Sequence, residues 1–353
     1  MDAQSDAVGR RIRVNGASIA GVVSCLPSRK VTNTQFENQF GEEAVKDVVK
    51  MIGVECRYWV DENTSTSDLC CKAGLHLLTQ LNWEPSSVDA LIFVSQTPDY
   101  RLPASACALQ AELGLPTTCI AFDINLGCSG YPYALWLGMT MVQTGAARRV
   151  LLAVGDTISK ITDFGDRSTA LLFGDAGTMT AIESDLNSQG NFVLGTDGSG
   201  WKNLIVPRGA FKDFSLSNDE RLKDKNPDCL YMDGGEIFNF TLKAVPALVS
   251  ETILQSGLTR DEHDGFLFHQ ANSFMLKHLI KKSKLSAEKS PINIDAYGNT
   301  SCASIPLLMT TSMRDRLGKD KLRLAMFGFG VGYSWAGASL SVGPLKCVET
   351  ITL

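Results

Sequence analysis

Little in this chain points to a metal, a nucleic acid or a membrane. Ten cysteines stand at 25, 56, 70, 71, 107, 119, 128, 229, 302 and 347, yet they form no CxxC pair. Nor do they fall into zinc-type spacing with the four histidines. No metal or organic cofactor is expected. Most of the cysteines lie inside apolar segments, which fits free thiols in a reducing cytosol. Lys and Arg number 33 against 38 Asp and Glu, and the net charge of −5 argues against nucleic acid or an anionic membrane as main partner. Low-complexity tracts and Pro-rich linkers are absent. No stretch approaches the roughly 20 apolar residues of a spanning helix. The leading "MDAQSDAVGRR" is polar, with no apolar signal core behind it. The expectation is a cytoplasmic protein with no membrane insertion.

What is present is an ordinary globular composition, 44% hydrophobic and 20% charged, over 353 residues. That length exceeds one ordinary core and predicts two domains or two halves. One stretch stands out: "DINLGCSGYPYALWLGMTMV", residues 123–142. The preceding "TTCIAFDIN" is short and apolar and reads as a buried strand. The following segment is apolar nearly all round and reads as a helix enclosed in the core. Gly127 and Gly130 permit a tight turn between them. Cys128 would then sit at a helix N-terminus, where unpaired N–H groups and the dipole favour a thiolate. Buried cysteine is commonly just a small hydrophobe, so only partners could give it a role.

The chain echoes itself. "VDALIFVSQ" (88–96) resembles "HDGFLFHQA" (263–271), an acidic lead-in followed by an apolar strand. "CIAFDINLGCSGYPYALWLGM" (119–139) resembles "SPINIDAYGNTSCASIPLLM" (290–309), each read as a strand carrying an aspartate, a glycine corner and a long apolar segment. "VLLAVGD" (150–156) falls on "KLRLAMF" (321–327). The expected organisation is α/β, a duplicated half with a boundary near 185: residues 1–185 carrying Cys128, and 186–353. If the halves pack about a pseudo-twofold, their strand-to-helix corners face each other, and Cys128 and Asn299 approach one site.

His269 ends the strand "GFLF" and precedes a helix capped by Asn272 or Ser273. Strand ends in α/β layers are where ligands bind, which sets His269 apart from His76, His263 and His278. Asn299, in "AYGNTSCASIP", is by itself an ordinary turn residue. "LRLAMFGFGVGYSWAGASLSV" reads as two strands joined by Gly328, Gly330 and Gly332. It is not a dinucleotide loop, because a strand follows and the spacing is not GxGxxG.

The motifs "DINLGCSGY", "DRSTALLFGDAG", "FHQAN", "YGNTSCASIP" and "GFGVGYSW", in that order, resemble the β-ketoacyl-acyl-carrier-protein synthase III family of the thiolase-like fold. The resemblance runs from about Arg13 to Val342. It implies two αβαβα halves forming a five-layered α-β-α-β-α core. It also implies an acyltransferase that loads an acyl group from a thioester onto Cys128, then condenses it with malonyl on acyl carrier protein to give a 3-oxoacyl product. By the same resemblance the backbone amides of Cys128 and Val331 form the oxyanion hole; Val331 stands where the family usually has glycine. His269 and Asn299 are implied donors to the malonyl thioester carbonyl during decarboxylation.

Departures from the family bear on substrate. The tryptophan and arginine that hold the adenine end of coenzyme A are replaced by Asp47 and Met51, although Arg167 matches a second coenzyme-contacting arginine. The primer is therefore expected as an unusual acyl-CoA or an acyl-carrier thioester. Leu102 takes a position that is often phenylalanine and reaches the partner subunit's pocket, so the primer is not expected to be acetyl. Lys281 and Lys282 match positions near the acyl-carrier-protein dock, on a helix expected to carry Lys277 and Lys284 too, while Phe274 replaces an arginine used there. A homodimer is implied, with "RLPASACALQAELG" near its interface. Three rival readings remain: a cysteine hydrolase, which the position of Gly127 fits poorly; a non-catalytic partner subunit; and an acyltransferase to a hydroxyl or amine.

Overall fold

The computed structural model describes residues 8–353, so the first seven residues of the polar leading segment lie outside it. Among the described residues, nine strands form the principal sheet system: β1 (Arg10–Leu26), β2 (Ala90–Val94), β3 (Ile120–Ile124), β4 (Arg149–Asp156), β5 (Ala176–Thr196), β6 (Gly265–Phe268), β7 (Leu322–Gly330), β8 (Ser334–Val342) and β9 (Cys347–Thr352). Six helices cover it: α1 (Thr66–Leu81), α2 (Ser105–Glu112), α3 (Gly130–Gln143), α4 (Gly234–Ser256), α5 (Ser273–Lys282) and α6 (Ser304–Thr310).

The long strands β1 and β5 each run through two layers. Arg10–Asn15 pair antiparallel with Gln189–Leu194, and Ala17–Cys25 with Gly177–Ser184, with register shifts between Asn15 and Ala17 and between Ile19 and Gly21. Such shifts bend and twist a ribbon. The first part of β5 pairs with β4, in the layer β3-β2-β4. The last part pairs with β8, in the layer β6-β7-β8. Residue 185 lies within β5, where one layer gives way to the other.

Helices α3 and α6 fill the space between the layers. Tyr131, Ala134, Leu135 and Met139 pack with Ile305, Leu308 and Met309 against strand residues of both sheets. Outside, α1 and α2 cover one sheet through Leu69, Leu77 and Leu109. On the opposite outer face α4 and α5 bury Val245, Leu248, Leu276 and Leu279. The result is the five-layered α-β-α-β-α core of the thiolase-like fold.

Four expectations need correction. The segment 290–295, read as a strand, forms a loop and one helical turn, Ile294–Tyr297. β3 is an edge strand rather than a buried one: β2 pairs with one side only, and Ile120 is exposed. Its Asp123 accepts from the amides of Ser105 and Ala106 at 2.7 and 2.8 Å, holding the start of α2. Lys284 lies beyond the end of α5, at φ +56°. Finally, α4 is long and apolar enough to cross a membrane by length and composition. Its sequence is not a continuous apolar run, because Glu236, Lys243, Pro246 and Glu251 interrupt it. In the fold its Val245, Leu248 and Val249 are buried against the sheet.

Candidate active site

Cys128 lies in a turn closed by the Gly130 amide on the Gly127 carbonyl at 2.6 Å, immediately before α3. β7 passes so near that a Cβ on Gly330 would lie 2.8 Å from the Cys128 sulfur. Only glycine permits that approach. Val331, the residue after Gly330, and Ser301 line the same cavity as the Cys128 thiol.

The thiol opens on a cavity of about 370 Å³, shared with Gln96, Asn125, Ser301 and Val331 and walled by Ile158, Ile161, Phe173, Leu204 and Leu230. A second, more polar hollow of about 510 Å³ adjoins it. Gln96, Asn125, Ile161, Val206 and Ala210 are common to both.

His269 and Asn299 meet at the main chain of Ser301. Gly298, at φ +69°, turns the chain where a Cβ would strike the Leu172 carbonyl at 2.8 Å. The Asn299 amide then donates to the Leu172 carbonyl at 2.9 Å. Asn299 Oδ1 accepts from the Ser301 amide at 2.9 Å, and Nδ2 reaches the Ala271 carbonyl at 3.4 Å. His269 is held from β7, its amide donating to the Phe327 carbonyl at 2.8 Å. Its ring meets Phe329 edge-on. Nδ1 lies 3.1 Å from the Ser301 carbonyl oxygen and 2.9 Å from Ser304 Oγ. Asn272 caps α5, its Oδ1 accepting from the Met275 amide at 2.7 Å.

Electrostatics revises two expectations. Burial pushes the Cys128 thiol up to about 11, against the pull of the Val331 amide, and the charge of Asp156 adds to the push. Desolvation outweighs the backbone amides that pull the other way, which favours the thiol form at rest. Burial also lowers His269 to about 4, so its ring rests neutral. Ser304 Oγ donates to the Ser301 carbonyl at 2.8 Å. That leaves Ser304 Oγ and the Ser301 carbonyl both as acceptors toward Nδ1, which must carry the proton. Nε2 is then a bare acceptor, not the standing donor expected of it.

The remaining positions lie apart from the thiol. Leu102 is 80% exposed. Arg167 is exposed on the first turn of the short helix Arg167–Ala170. Asp47 and Met51 are exposed on the helix Glu42–Ile52. Phe274 is exposed and stacks on Phe238 at 5.9 Å. Lys281 and Lys282 lie exposed in the last turn of α5, Lys282 donating to the Leu242 carbonyl at 2.7 Å. His76 pairs with Glu349 at 2.7 Å, and His263 is buried against Ser339 Oγ at 3.1 Å.

Sequence reasoning passed over Ser301 and Asp156. The signal in hand was the motif "GNTSCAS" itself, whose third polar residue holds the left-handed conformation at φ +51°. Asp156 is fully buried at the end of β4.

A cavity that opens on a thiol, in a fold of two sheets with helices packed between them, defines the class, a thiolase-like enzyme of acyl transfer and condensation. Residues 122–198 match the family described as 3-Oxoacyl-[acyl-carrier-protein (ACP)] synthase III, and residues 253–342 match its C-terminal part. The chain is 34% identical over 325 residues to the Beta-ketoacyl-[acyl-carrier-protein] synthase III of Caldanaerobacter subterraneus subsp. tengcongensis, covering 91% of this chain and 96% of that one. Among solved structures, the 3-oxoacyl-(Acyl-carrier protein) Synthase from Burkholderia xenovorans LB400 is similar at 63% identity and a TM-score of 0.97, over 98% of this chain and 99% of that one. The Thermus thermophilus synthase III is similar at 33% identity and a TM-score of 0.82, over 92% and 99%. The chain belongs to the 3-oxoacyl-acyl-carrier-protein synthase III family, and it is an acyltransferase.

Proposed function

We propose that Cys128 accepts a primer acyl group from a thioester and that the acyl-enzyme condenses with malonyl-acyl-carrier protein, with loss of carbon dioxide. The observation that carries this reading is the meeting of Cys128, Ser301 and Val331 on one cavity, with His269 and Asn299 both bonded to Ser301. The amides of Cys128 and Val331 serve the oxyanion of the acyl-transfer step, each such donor being worth about 2.7–4 kcal/mol. Asn299 Nδ2, with one hydrogen beyond the Ala271 contact, donates to the enolate oxygen of the decarboxylating malonyl thioester. The condensation takes up one proton overall. His269 Nε2 carries it, and once loaded it becomes the second donor to the enolate.

The apolar wall of the cavity and the hollow beyond it favour a primer longer than acetyl. Arg167 contacts the incoming carrier or coenzyme, and Lys281, Lys282 and Phe274 form the face for an acidic carrier protein. Leu102, exposed in the single chain, reaches a second copy's pocket in a homodimer. The chain is read as two like halves, residues 1–185 and 186–353, in a cytoplasmic protein.

The test is incubation with a panel of acyl-CoAs and acyl-carriers, with intact-mass measurement of the Cys128 adduct, then addition of malonyl-carrier. A 3-oxoacyl product supports condensation. Release of free acid favours a hydrolase, and transfer to an added alcohol or amine favours the other acyltransferase reading. No adduct from any thioester would favour a non-catalytic subunit.

A further inference from the structure

The cavity at Cys128 and the hollow that adjoins it differ in lining. Beside the thiol the walls are apolar; past Gln96 and Asn125 the hollow takes in Ser65, Thr97, Arg101 and Lys160. Gln96 stands at the neck between them. A Cβ on Gly127 would lie 2.2 Å from its Oε1, so the carboxamide rests against the residue that precedes Cys128. The Gln96 backbone amide is spent on Asp156. Among the described residues, neither the Gln96 nor the Asn125 carboxamide hydrogen-bonds to protein, and both face the shared neck.

The charges of the hollow do not balance. Arg208, on its rim, donates to Asp228 at 2.6 Å and is neutralised there. Arg101 and Lys160 form no ion pair among the described residues. The Arg101 guanidinium lies over the Phe211 ring at 5.5 Å. Lys160 Nζ donates to the Glu62 carbonyl at 2.9 Å and keeps two further N–H bonds. Asp99 is the carboxylate of the lining, and it is closed to a ligand: Oδ2 accepts from Ser67 Oγ at 2.5 Å, and Oδ1 is sealed from solvent. Asp61 feels the Lys160 charge from outside, but its Oδ1 is taken up by the Asn63 and Thr64 amides. Arg101 and Lys160 against Asp99 leave one positive charge in excess.

We propose that the primer is the monothioester of a dicarboxylic acid, its distal carboxylate held in the hollow by Lys160 and Arg101 and its chain passing between Gln96 and Asn125. The proposal rests on the acyl-transfer reading and names the substrate class of the same site. One carboxyl is the thioester carbonyl that Cys128 attacks; the other takes no part in the chemistry. The apolar walls beside the thiol receive the methylenes. A tail of hydrocarbon alone, filling the neck and hollow, would strip water from two carboxamides and two cations and return no hydrogen bond, which costs free energy for each group. A terminal carboxylate accepts from the cations, and such charge-assisted bonds are the strong ones.

The test compares primers matched in chain length: succinyl with butyryl, glutaryl with valeryl, adipyl with hexanoyl, each offered on coenzyme A and on acyl carrier protein. Contacts to the carrier are then common to both members of a pair, and only the tail differs. Intact mass reads the rate at which Cys128 is acylated. At the length that fits, the dicarboxylic member is expected to load about 10–10²-fold faster, the scale of hydrogen bonds to a charged group, and added salt should shrink the ratio. Lys160→Gln combined with Arg101→Gln should bring the ratio toward one, while Lys160→Arg should keep it. Both side chains are exposed, so these substitutions leave the core untouched. A wild-type ratio near one at every length, or a ratio that survives the double substitution, overturns the proposal while leaving acyl transfer in place. No adduct from either series overturns the acyl-transfer reading, and the proposal falls with it.

Discussion

His269 Nδ1 lies 3.1 Å from the carbonyl oxygen of Ser301, and this contact fixes the imidazole tautomer. A carbonyl can only accept, so the proton belongs on Nδ1 and the lone pair on Nε2. Asn299 is tied to the same residue through its Oδ1. One serine thus sets the orientation of both side chains assigned to the condensation step.

Cys128→Ala should abolish the acyl-enzyme outright. Decarboxylation of malonyl-carrier should persist, because Asn299 and His269 do not depend on the sulfur. Intact-mass spectra and carbon dioxide release measure the two halves separately; an acylated Cys128→Ala protein would place the nucleophile elsewhere.

Asn299→Ala should accumulate acyl-enzyme that condenses about 10²–10³-fold more slowly, the cost of one lost donor to a developing oxyanion. Acylation itself should be unchanged. Single-turnover mass measurements distinguish this from a general loss of folding.

Gly330→Ala places a methyl 2.8 Å from the Cys128 sulfur. Loading of the thiol should fall sharply, and the melting temperature should fall as well, because Gly330 is buried at φ +157° and the methyl would also lie 2.8 Å from the Cys128 Cβ. Intact-mass measurement of the adduct checks this; loading at the wild-type rate would show that β7 does not crowd the sulfur.

His269 supplies a pH signature of stability. Its folded value of about 4 lies below the ordinary 6.5, so the unfolded chain binds more protons between the two. Stability is unaffected by this group above about pH 6.5 and falls as pH drops toward 4, by about 3 kcal/mol on linkage arithmetic. Asp175, raised to about 6, acts in the opposite direction over an overlapping window. The difference between wild type and His269→Gln isolates the histidine. Denaturant melts of both from pH 7 to 4 should show wild type losing its advantage as pH falls; parallel curves would refute the assignment.

Restoring an aromatic and a cation, Asp47→Trp with Met51→Arg, should tighten coenzyme A binding, because stacking and a guanidinium replace a carboxylate and a thioether on an exposed helix face. Calorimetry with free coenzyme A reads this directly. Unchanged affinity would place the nucleotide elsewhere.

The strand at β6, the glycine-rich β7–β8 pair and the Asn272 cap were legible because each is a local pattern: an apolar run, a turn composition, a side-chain acceptor three residues from its amide. The supposed strand at 290–295 was misread for the same reason. "PINIDAY" has the apolar alternation of a strand, but its Asn293 amide goes to Gln270 Oε1 at 3.1 Å and no sheet edge takes it up. Ser301 and Asp156 gave almost no signal, since serine in a turn and aspartate at a strand end are commonplace.

By itself the sequence determined the kinds of groups available: a cysteine before an apolar helix, a histidine at a strand end, an asparagine in a glycine corner. Their order in the chain and the alternation of buried strands with helices fixed the fold class, because those depend on side-chain polarity and backbone freedom within a few residues. Only the tertiary structure decided the protonation of the site. Whether a thiol or an imidazole is charged depends on how completely water is excluded and on which carbonyl or carboxyl from a distant segment faces it, and those neighbours are set by packing between layers.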